Sequence, residues 1–542
     1  MTRLVIHSFL TLALLFGLLF AVMTAVLFAM DAPLSLAIVV ALAFGLIQYA
    51  ISPFVIEWIH RIDWVDPEHV DPQIASLLRS ICSDRGLKQP KFGLIRDGNP
   101  NAFTFGHYPG NARVVVTTGL LEVCDTEQRR AVVAHEMGHV IHWDFVVMTI
   151  AGTIPLLLYY VFRFGLHSGG GRRRDSNVVI VVAIAAFVAY IISRYIVLFL
   201  SRVREYYADE FAARTTGSAN ALATGLVKIA YGLAQSRPPE EKEGQVVAVS
   251  AGMKPFGIFD GTYGKSMAVA TAGAYGLTGE KAAPSHAVDA MKWDLWNPWA
   301  GLLELSSTHP LPAKRIRALG KLSLQVGEAP AYEIPERADR SYWREFRTDL
   351  LVSVLPHLGL LAGIGAGIAL GFSQGMPVTG VGVAALGLGA GLLGRLAFVY
   401  PRGRFDPGRV ADLVGEVTVS GVRPVPVRLE GQIIGRGIPG LYWGDDLVLQ
   451  DRSGFMLLQY RQPLRVLEFL FGLFRAEGFI GQRVVAEGWY RRAPVPYLEL
   501  WKVHLPNGDT HTSHNWGVSL AIALALTGVG LLTALFGMIG LM

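Results

Sequence analysis

The string Ala134-His135-Glu136-Met137-Gly138-His139-Val140 carries the strongest chemical signal in the chain. It lies in residues 126–142, whose polar start and mixed pattern predict a helix. Side chains at i and i+4 share a helix face, so His135 and His139 can reach one tetrahedral ion while Glu136 points at a water on it. Two histidines do not complete such a site. A hydrolytic zinc centre takes a third protein ligand and keeps its fourth position open.

The polar stretch at residues 201–209 supplies the candidate. Glu205 and Asp209 are again four apart on one helix face, which assigns Glu205 to the metal and Asp209 to a hydrogen bond that fixes a ligand imidazole's tautomer. Rival ligands fail on spacing. His142 stands two turns beyond His135, roughly 10 Å along the axis, and the position ten residues after His135 is Phe145. The chemistry expected is peptide hydrolysis by an activated water, with Glu136 as general base.

The elements that must position these groups belong to a membrane. Of 542 residues, 52% are hydrophobic and 17% charged, too apolar for an ordinary soluble enzyme of this size. Apolar runs at 4–30, 34–56, 145–164, 178–200, 349–372, 377–400 and 516–542 are each long enough to cross a bilayer, which takes about 20 residues. The chain then divides into two membrane helices (1–59), a first protease part with the HEMGH helix (60–144), two membrane helices (145–200), a second protease part with the third ligand (201–347), two more membrane helices (348–400), a small barrel (401–515) and a last membrane helix (516–542). Gly363, Gly367 and Gly371 fall at four-residue steps, which predicts close helix packing in lipid. A Gly/Ala/Lys-rich stretch at 244–283 has little periodicity and reads as a mobile loop.

Residues 401–515 predict strands at 427–434, 447–451, 455–460, 482–490 and 497–503, with a helix at 464–474. Three strands, a helix and two strands is the order of an OB barrel. The fold class is therefore a mainly α membrane protein: multi-span helices, a zincin-type α+β metalloprotease domain and a C-terminal small β-barrel, OB-like. The barrel lacks a dense basic and aromatic stripe, which argues for a docking or assembly module rather than nucleic-acid binding. A formal charge of +5 suits anionic headgroups and is too scattered for nucleic acid. Cys82 and Cys124 are isolated, which excludes a disulfide scaffold and a zinc finger. The Gly-Lys-Ser at 264–266 lacks the first glycine of a phosphate loop, Phe259 standing there, so no nucleotide site is expected.

These residues resemble the HtpX-type membrane zinc metalloproteases, gluzincins related to the CAAX prenyl proteases. The pieces that carry the likeness are Asn101-Ala102-Phe103 before a strand, the HEMGH helix, Arg204-Glu205-Tyr206 with Ala208-Asp209, and Ser307-Thr308-His309-Pro310 followed by Arg315. They span residues 1 to about 320 in the family's order; the last third stands outside the match. The resemblance implies one catalytic Zn2+ with Glu205 as third ligand. It implies His309 as a catalytic group near the scissile carbonyl, and Asn101, Ala102 and Phe103 beside the substrate cleft. It implies polypeptide substrates, membrane or misfolded proteins, as in protein quality control.

An extended substrate is expected to pair with the strand at 113–117. His139 lies six residues before Phe145 and Glu205 eleven after Arg194, about 9 Å and about 16 Å on a helix, which places the metal just outside the lipid. The basic residues flanking the spans favour the cytoplasmic face of the cell membrane, against one loop bearing Arg163, Arg172, Arg173 and Arg174. Oligomerisation is left open. The competing readings are a CAAX-type processing protease and a non-catalytic scaffold recruiting partners through the barrel; the intact Glu136 favours the enzyme.

Overall fold

The computed structural model describes residues 62–96, 100–168, 176–231, 284–374, 377–437, 445–493 and 495–539, with single residues between 18 and 57. The expected span at 4–30 lies outside these residues but for residue 18, that at 34–56 lies largely outside them, and Arg172, Arg173, Arg174 and the stretch 244–283 lie outside them entirely.

The soluble part begins with β1 (Asp63–Trp64) and α1 (Pro72–Arg85). Asp71 starts α1 by accepting from the Gln73 and Ile74 amides, with Pro72 in the first turn, and Gly86 at φ 61° ends it in a left-handed conformation that costs glycine little. Next come β2 (Lys91–Ile95), β3 (Ala102–Gly106) and β4 (Ala112–Thr117), in the sheet order β1-β2-β4-β3. β4 is buried at all six positions, parallel to β2 and antiparallel to β3. This corrects the expectation that residues 113–117 receive a substrate strand: both sides of β4 are already paired. Three consecutive valines suit an interior strand with two covered faces. Among the described residues the edge on this side of the sheet belongs to β3.

α2 (Thr126–Ile141) opens on a capping box, in which Asp125 accepts from the Gln128 amide and the Gln128 side chain accepts from the Asp125 amide. It stops at Trp143, whose φ of 59° turns the chain sharply into α3 (Asp144–Ser168). α4 (Ser176–Thr216) runs 41 residues without interruption, so one rod carries both a membrane span and Glu205. α2 crosses α4 where Gly138 meets Ala208, and a Cβ on Gly138 would stand 3.0 Å from the Ala208 Cα. α5 (Ala219–Tyr231), α6 (Pro284–Trp296) and α7 (Pro312–Gln325) close the body around Leu78, Val114, Val133, Met137, Leu222 and Leu319.

α8 (Trp343–Gln374) and α9 (Pro377–Val399) lead to the barrel. Its elements are β5 (Asp406–Pro407), β6 (Val425–Arg436), β7 (Leu447–Gln450), β8 (Phe455–Gln459), α10 (Arg465–Phe474), β9 (Arg483–Arg492), β10 (Pro496–His504) and β11 (Thr510–Thr512), followed by α11 (Asn515–Ile539). β6 pairs β7, β7 pairs β8, β8 runs parallel to β10, and β10 returns through β9 to β6. The ring is closed, which removes its strand edges. β5 and β11 are two short strands added outside it, too brief to leave a sequence pattern.

Five helices among the described residues are long and apolar enough to cross a membrane: Asp144–Arg163, Val178–Thr216, Trp343–Leu370, Pro377–Val399 and Asn515–Ile539. They expose large apolar side chains such as Val181, Leu361 and Phe536, as lipid-facing residues do, and the chain is a multi-pass integral membrane protein. α8, α9 and α11 pack through small residues. A Cβ on Gly359, Gly363 or Gly367 would meet the backbone of Gly387, Ala384 or Gly380 on α9, and Gly382 of α9 lies against Gly530 and Ala534 of α11.

The barrel is fused to the protease body. Arg492 of β9, with no exposed surface, donates to Asp294 Oδ1 (2.8 Å), Ala290 O (3.1 Å) and Val414 O (2.9 Å), and its guanidinium lies 4.7 Å from the Trp293 ring centre. Trp293 Nε1 donates to Val419 O at 2.6 Å, and one apolar core runs through both parts.

Candidate metal centre

α2 presents His135 and His139 to α4, and α4 presents Glu205 and Asp209 in return, so the two i,i+4 pairs face one another where the helices cross. The Nε2 atoms of His135 and His139 lie 3.2 Å apart, each 3.6 Å from a Glu205 carboxylate oxygen. One donor atom from each of the three residues falls within 4.8 Å of the others. The three converge as a cluster that can hold a metal ion.

The surroundings fit a cation. Glu205 Oε2 is buried and accepts no hydrogen bond; Arg315 Nη1 stands 2.9 Å away but off the direction such a bond needs. Burial opposes ionisation of Glu205, yet the charges of His309 and Arg315 outweigh it and hold the carboxyl well below its usual range. Burial and Arg315 likewise disfavour a proton on His135, but the Asp209 and Glu205 carboxylates prevail and raise it to about 9. Negative potential sufficient to hold a proton there would equally hold a divalent cation.

Each imidazole has its own carboxylate on the ring nitrogen that faces away from Glu205. His135 Nδ1 lies 3.0 Å from Asp209 Oδ1, and His139 Nδ1 lies 2.6 Å from Asp144 Oδ2. Sequence reading placed Asp209 here and missed Asp144. The signal was a carboxylate at the mouth of an apolar run, beside Arg204 in space: Arg204 Nε donates to Asp144 Oδ1 at 2.6 Å. Arg315 was noticed only as part of a motif. It is buried, and its Nε and Nη2 both donate to Asp209, at 2.9 Å and 2.5 Å.

His309 sits at the rim, its Nδ1 2.8 Å from Glu205 Oε1 and its side chain 34% exposed. Arg202 of α4 secures the loop that carries it, donating to Glu304 O (2.9 Å) and Ser307 O (2.8 Å). Glu136, nearly buried, follows His135 on α2, and its backbone oxygen accepts from Thr104 Oγ1 of β3 at 3.4 Å. β3 therefore runs alongside the metal helix. Asn101 leads into it, paired with Thr117 through both backbone groups; Ala102 packs on the main core, and Phe103 packs on the opposite face of the sheet with Ile95, Phe105 and Val115. His142 ends α2 between the rings of Tyr207 and Phe211, where burial lowers it to about 4, and takes no part in the cluster.

Fold and site together define a membrane-embedded metallopeptidase. Residues 68–323 match the model of peptidase family M48. A protease HtpX homolog of Methanothermobacter thermautotrophicus is 37% identical over 243 residues, 44% of this chain and 90% of that protein. Homologs from Aeropyrum pernix (31% over 304 residues, 54% and 87%) and Streptomyces coelicolor (30% over 334 residues, 61% and 96%) align similarly. The crystal structure of S. mikatae Ste24p superposes at a TM-score of 0.29, with 19% identity over 42% of this chain and 59% of that one, a likeness too slight to carry any argument. The chain belongs to the HtpX-type membrane zinc metalloproteases of family M48. α8, α9, the barrel and α11 lie beyond the residues the family model matches.

Proposed function

We propose that this protein is a zinc endopeptidase that cleaves membrane or misfolded proteins beside the cytoplasmic surface of the membrane. The observation that carries the reading is the convergence of His135, His139 and Glu205 from two helices that each continue, through Trp143 or directly, into a membrane span. In the proposed site these three residues hold one Zn2+. The ion supplies Lewis acidity when bound, making a water nucleophilic near neutral pH and a peptide carbonyl electrophilic.

The chain's own groups do the rest. Glu136 takes a proton from the attacking water as its oxygen bonds to the carbonyl carbon, then delivers that proton to the nitrogen as the C–N bond breaks. His309, on the exposed side of Glu205, donates to the developing oxyanion. Asp209 and Asp144 fix the ligand imidazoles. The substrate is straightened along the edge strand β3, next to Glu136, with Ala102 offering its backbone to that edge and Asn101 and Phe103 flanking it, their own backbone turned to β4. Basic residues flanking the spans favour the cytoplasmic side.

The test uses detergent-purified full-length protein stripped of metal and reloaded with zinc, comparing the native chain with Glu136→Gln on an unfolded protein substrate. Cleavage by the native chain alone, with one zinc bound per chain in both, supports the reading. Zinc bound in both with no cleavage of several substrates by either would replace it with a non-catalytic scaffold.

A further inference from the structure

Helix α10 breaks the pattern of the barrel it belongs to. One side packs inward: Phe471 stacks on Tyr460 with ring centres 4.0 Å apart and meets Phe479 at 5.6 Å. The other side is apolar and exposed. Val466 is 63% exposed and Phe474 73%, with Leu464, Leu467, Phe469 and Leu470 also exposed. At about 100° per residue, positions 466, 467, 469, 470 and 474 form one continuous face, an apolar surface a water-bathed domain seldom leaves uncovered.

The hydrogen bonds at its start say where that face lies. Gln462, buried three residues before α10, donates through Nε2 to Thr512 O (3.2 Å) and accepts through Oε1 from the His514 amide (3.2 Å). Ser513 Oγ donates to Arg461 O. Thr512, Ser513 and His514 are the last residues before α11 enters its span at Asn515. The start of α10 is thus held at the height where the chain enters the bilayer. The barrel's other end is held there too: Tyr400, directly after α9, donates to Glu499 Oε1 at 2.7 Å, and Asn515 donates to the Tyr400 hydroxyl at 3.3 Å.

Charge agrees with this placement. Arg465 and Arg475 are exposed at the two ends of α10, and Glu468, its one acidic residue, turns back to accept from the Gln462 amide at 2.9 Å. Arginines bordering an apolar face suit phosphate headgroups above acyl chains. Ten residues, about 15 Å of helix, are too few to span.

We infer that α10 is an interfacial helix, lying in the headgroup layer of the bilayer that α9 and α11 cross, with Val466, Leu467, Phe469, Leu470 and Phe474 in lipid. The barrel is then seated on the membrane by a third contact besides its two covalent ones, which fixes its tilt as well as its height. The inference is independent of the proteolytic reading.

Full-length protein in nanodiscs of mixed neutral and anionic phospholipid tests it. Nitroxide labels are placed at Leu470→Cys, at Phe474→Cys as a second probe should the first variant fail to fold, and at Glu430→Cys on an exposed strand position; both native cysteines are buried. Collision with oxygen, enriched in lipid, is compared with collision with a water-soluble nickel chelate. The expected result is oxygen-dominated collision at 470 and 474, at a depth of about 5–10 Å, and nickel-dominated collision at 430. Nickel-dominated collision at 470 and 474 overturns the proposal. So does protection from both reagents, the mark of a second copy or another protein covering the face.

Discussion

His135 Nδ1 and Asp209 Oδ1 stand 3.0 Å apart, on the side of the ring remote from the Nε2 that faces Glu205. The same relation holds His139 to Asp144 at 2.6 Å, so both imidazoles are oriented by a carboxylate and present Nε2 to the same point. The two carboxylates are anchored in turn: Asp209 by Arg315, and Asp144 by Arg204. The geometry of the His135, His139 and Glu205 cluster is therefore set by two buried ion pairs, one from the helix that follows the His309 loop and one from the membrane boundary.

Asp209→Asn and Asp144→Asn keep the side-chain shape and remove the charge. Each is expected to weaken zinc binding by about 10–100-fold, the usual effect of losing a carboxylate behind a ligand histidine. Competition with a chromophoric chelator measures it, with helix content by circular dichroism checking that the fold survives. Wild-type affinity in both variants would mean that neither carboxylate orients its ring.

Gly138 lies between the two histidines, and its lack of a side chain lets α2 reach α4. Gly138→Val puts a branched side chain against the Ala208 backbone, so α2 must shift away and both Nε2 atoms move with it. Zinc stoichiometry in the purified variant should fall well below one per chain while the protein still inserts. Overpacking of this kind costs roughly 1–3 kcal/mol of stability, small enough to leave a folded protein to assay.

The two i,i+4 pairs were legible because helix periodicity places them before any tertiary information exists; that Glu205 would join the two histidines followed from the same rule applied to Glu205 and Asp209. Asp144 was not legible. It sits five residues after His139, beyond the end of α2, and reaches the imidazole only because Trp143 takes a left-handed φ that no local pattern announces. β4 was recognised as a strand from its valines, but which strand forms the edge depends on pairing across the intervening segment, and so an interior strand was read as open to an added one. The barrel strands were found within a few residues because alternation and turn residues are local signals. Their fusion to the protease body through Arg492 was invisible, since an arginine in a strand reads as solvent-exposed until its carbonyl and carboxylate partners are placed around it.

Arg492 makes the barrel part of the enzyme's framework. Asp294, its partner, also accepts from the Tyr231 hydroxyl (2.5 Å) and from the Ala313 amide (3.2 Å) at the start of α7, two residues before Arg315. Arg492→Met leaves a buried carboxylate without its cation, which costs about 3–5 kcal/mol. Limited proteolysis should then release the barrel far faster, and zinc affinity should fall with it because Arg315 loses its support. The paired change Arg492→Met with Asp294→Asn should recover part of the stability, because the neutral amide keeps an acceptor oxygen for Tyr231 and Ala313 without an unpaired charge. Faster barrel release with unchanged zinc binding would show that the junction does not reach the metal.

Acid sensitivity should arise at the junction of barrel and membrane. Glu499 is buried, which by itself opposes its ionisation, but Arg491 and Arg461 outweigh burial and hold its carboxyl below the ordinary 4.5. A carboxyl whose folded pKa lies below its unfolded one adds stability that is fully present above the unfolded value, and that stability is lost as pH falls through the folded value. The barrel's seat on α9, where Arg491 donates to Glu499 Oε2 and Val399 O at 2.7 Å each, should therefore hold from neutral pH down to about 4.5 and weaken below it. Fluorescence of Trp489, which packs against Tyr400 at this junction, reports the loss in a pH titration at fixed denaturant. Glu499→Gln should be less stable at pH 7, by about 3–5 kcal/mol for a buried pair broken on one side, and should remove this carboxyl's share of the acid transition. An unaltered acid transition in that variant would assign the sensitivity to other carboxylates.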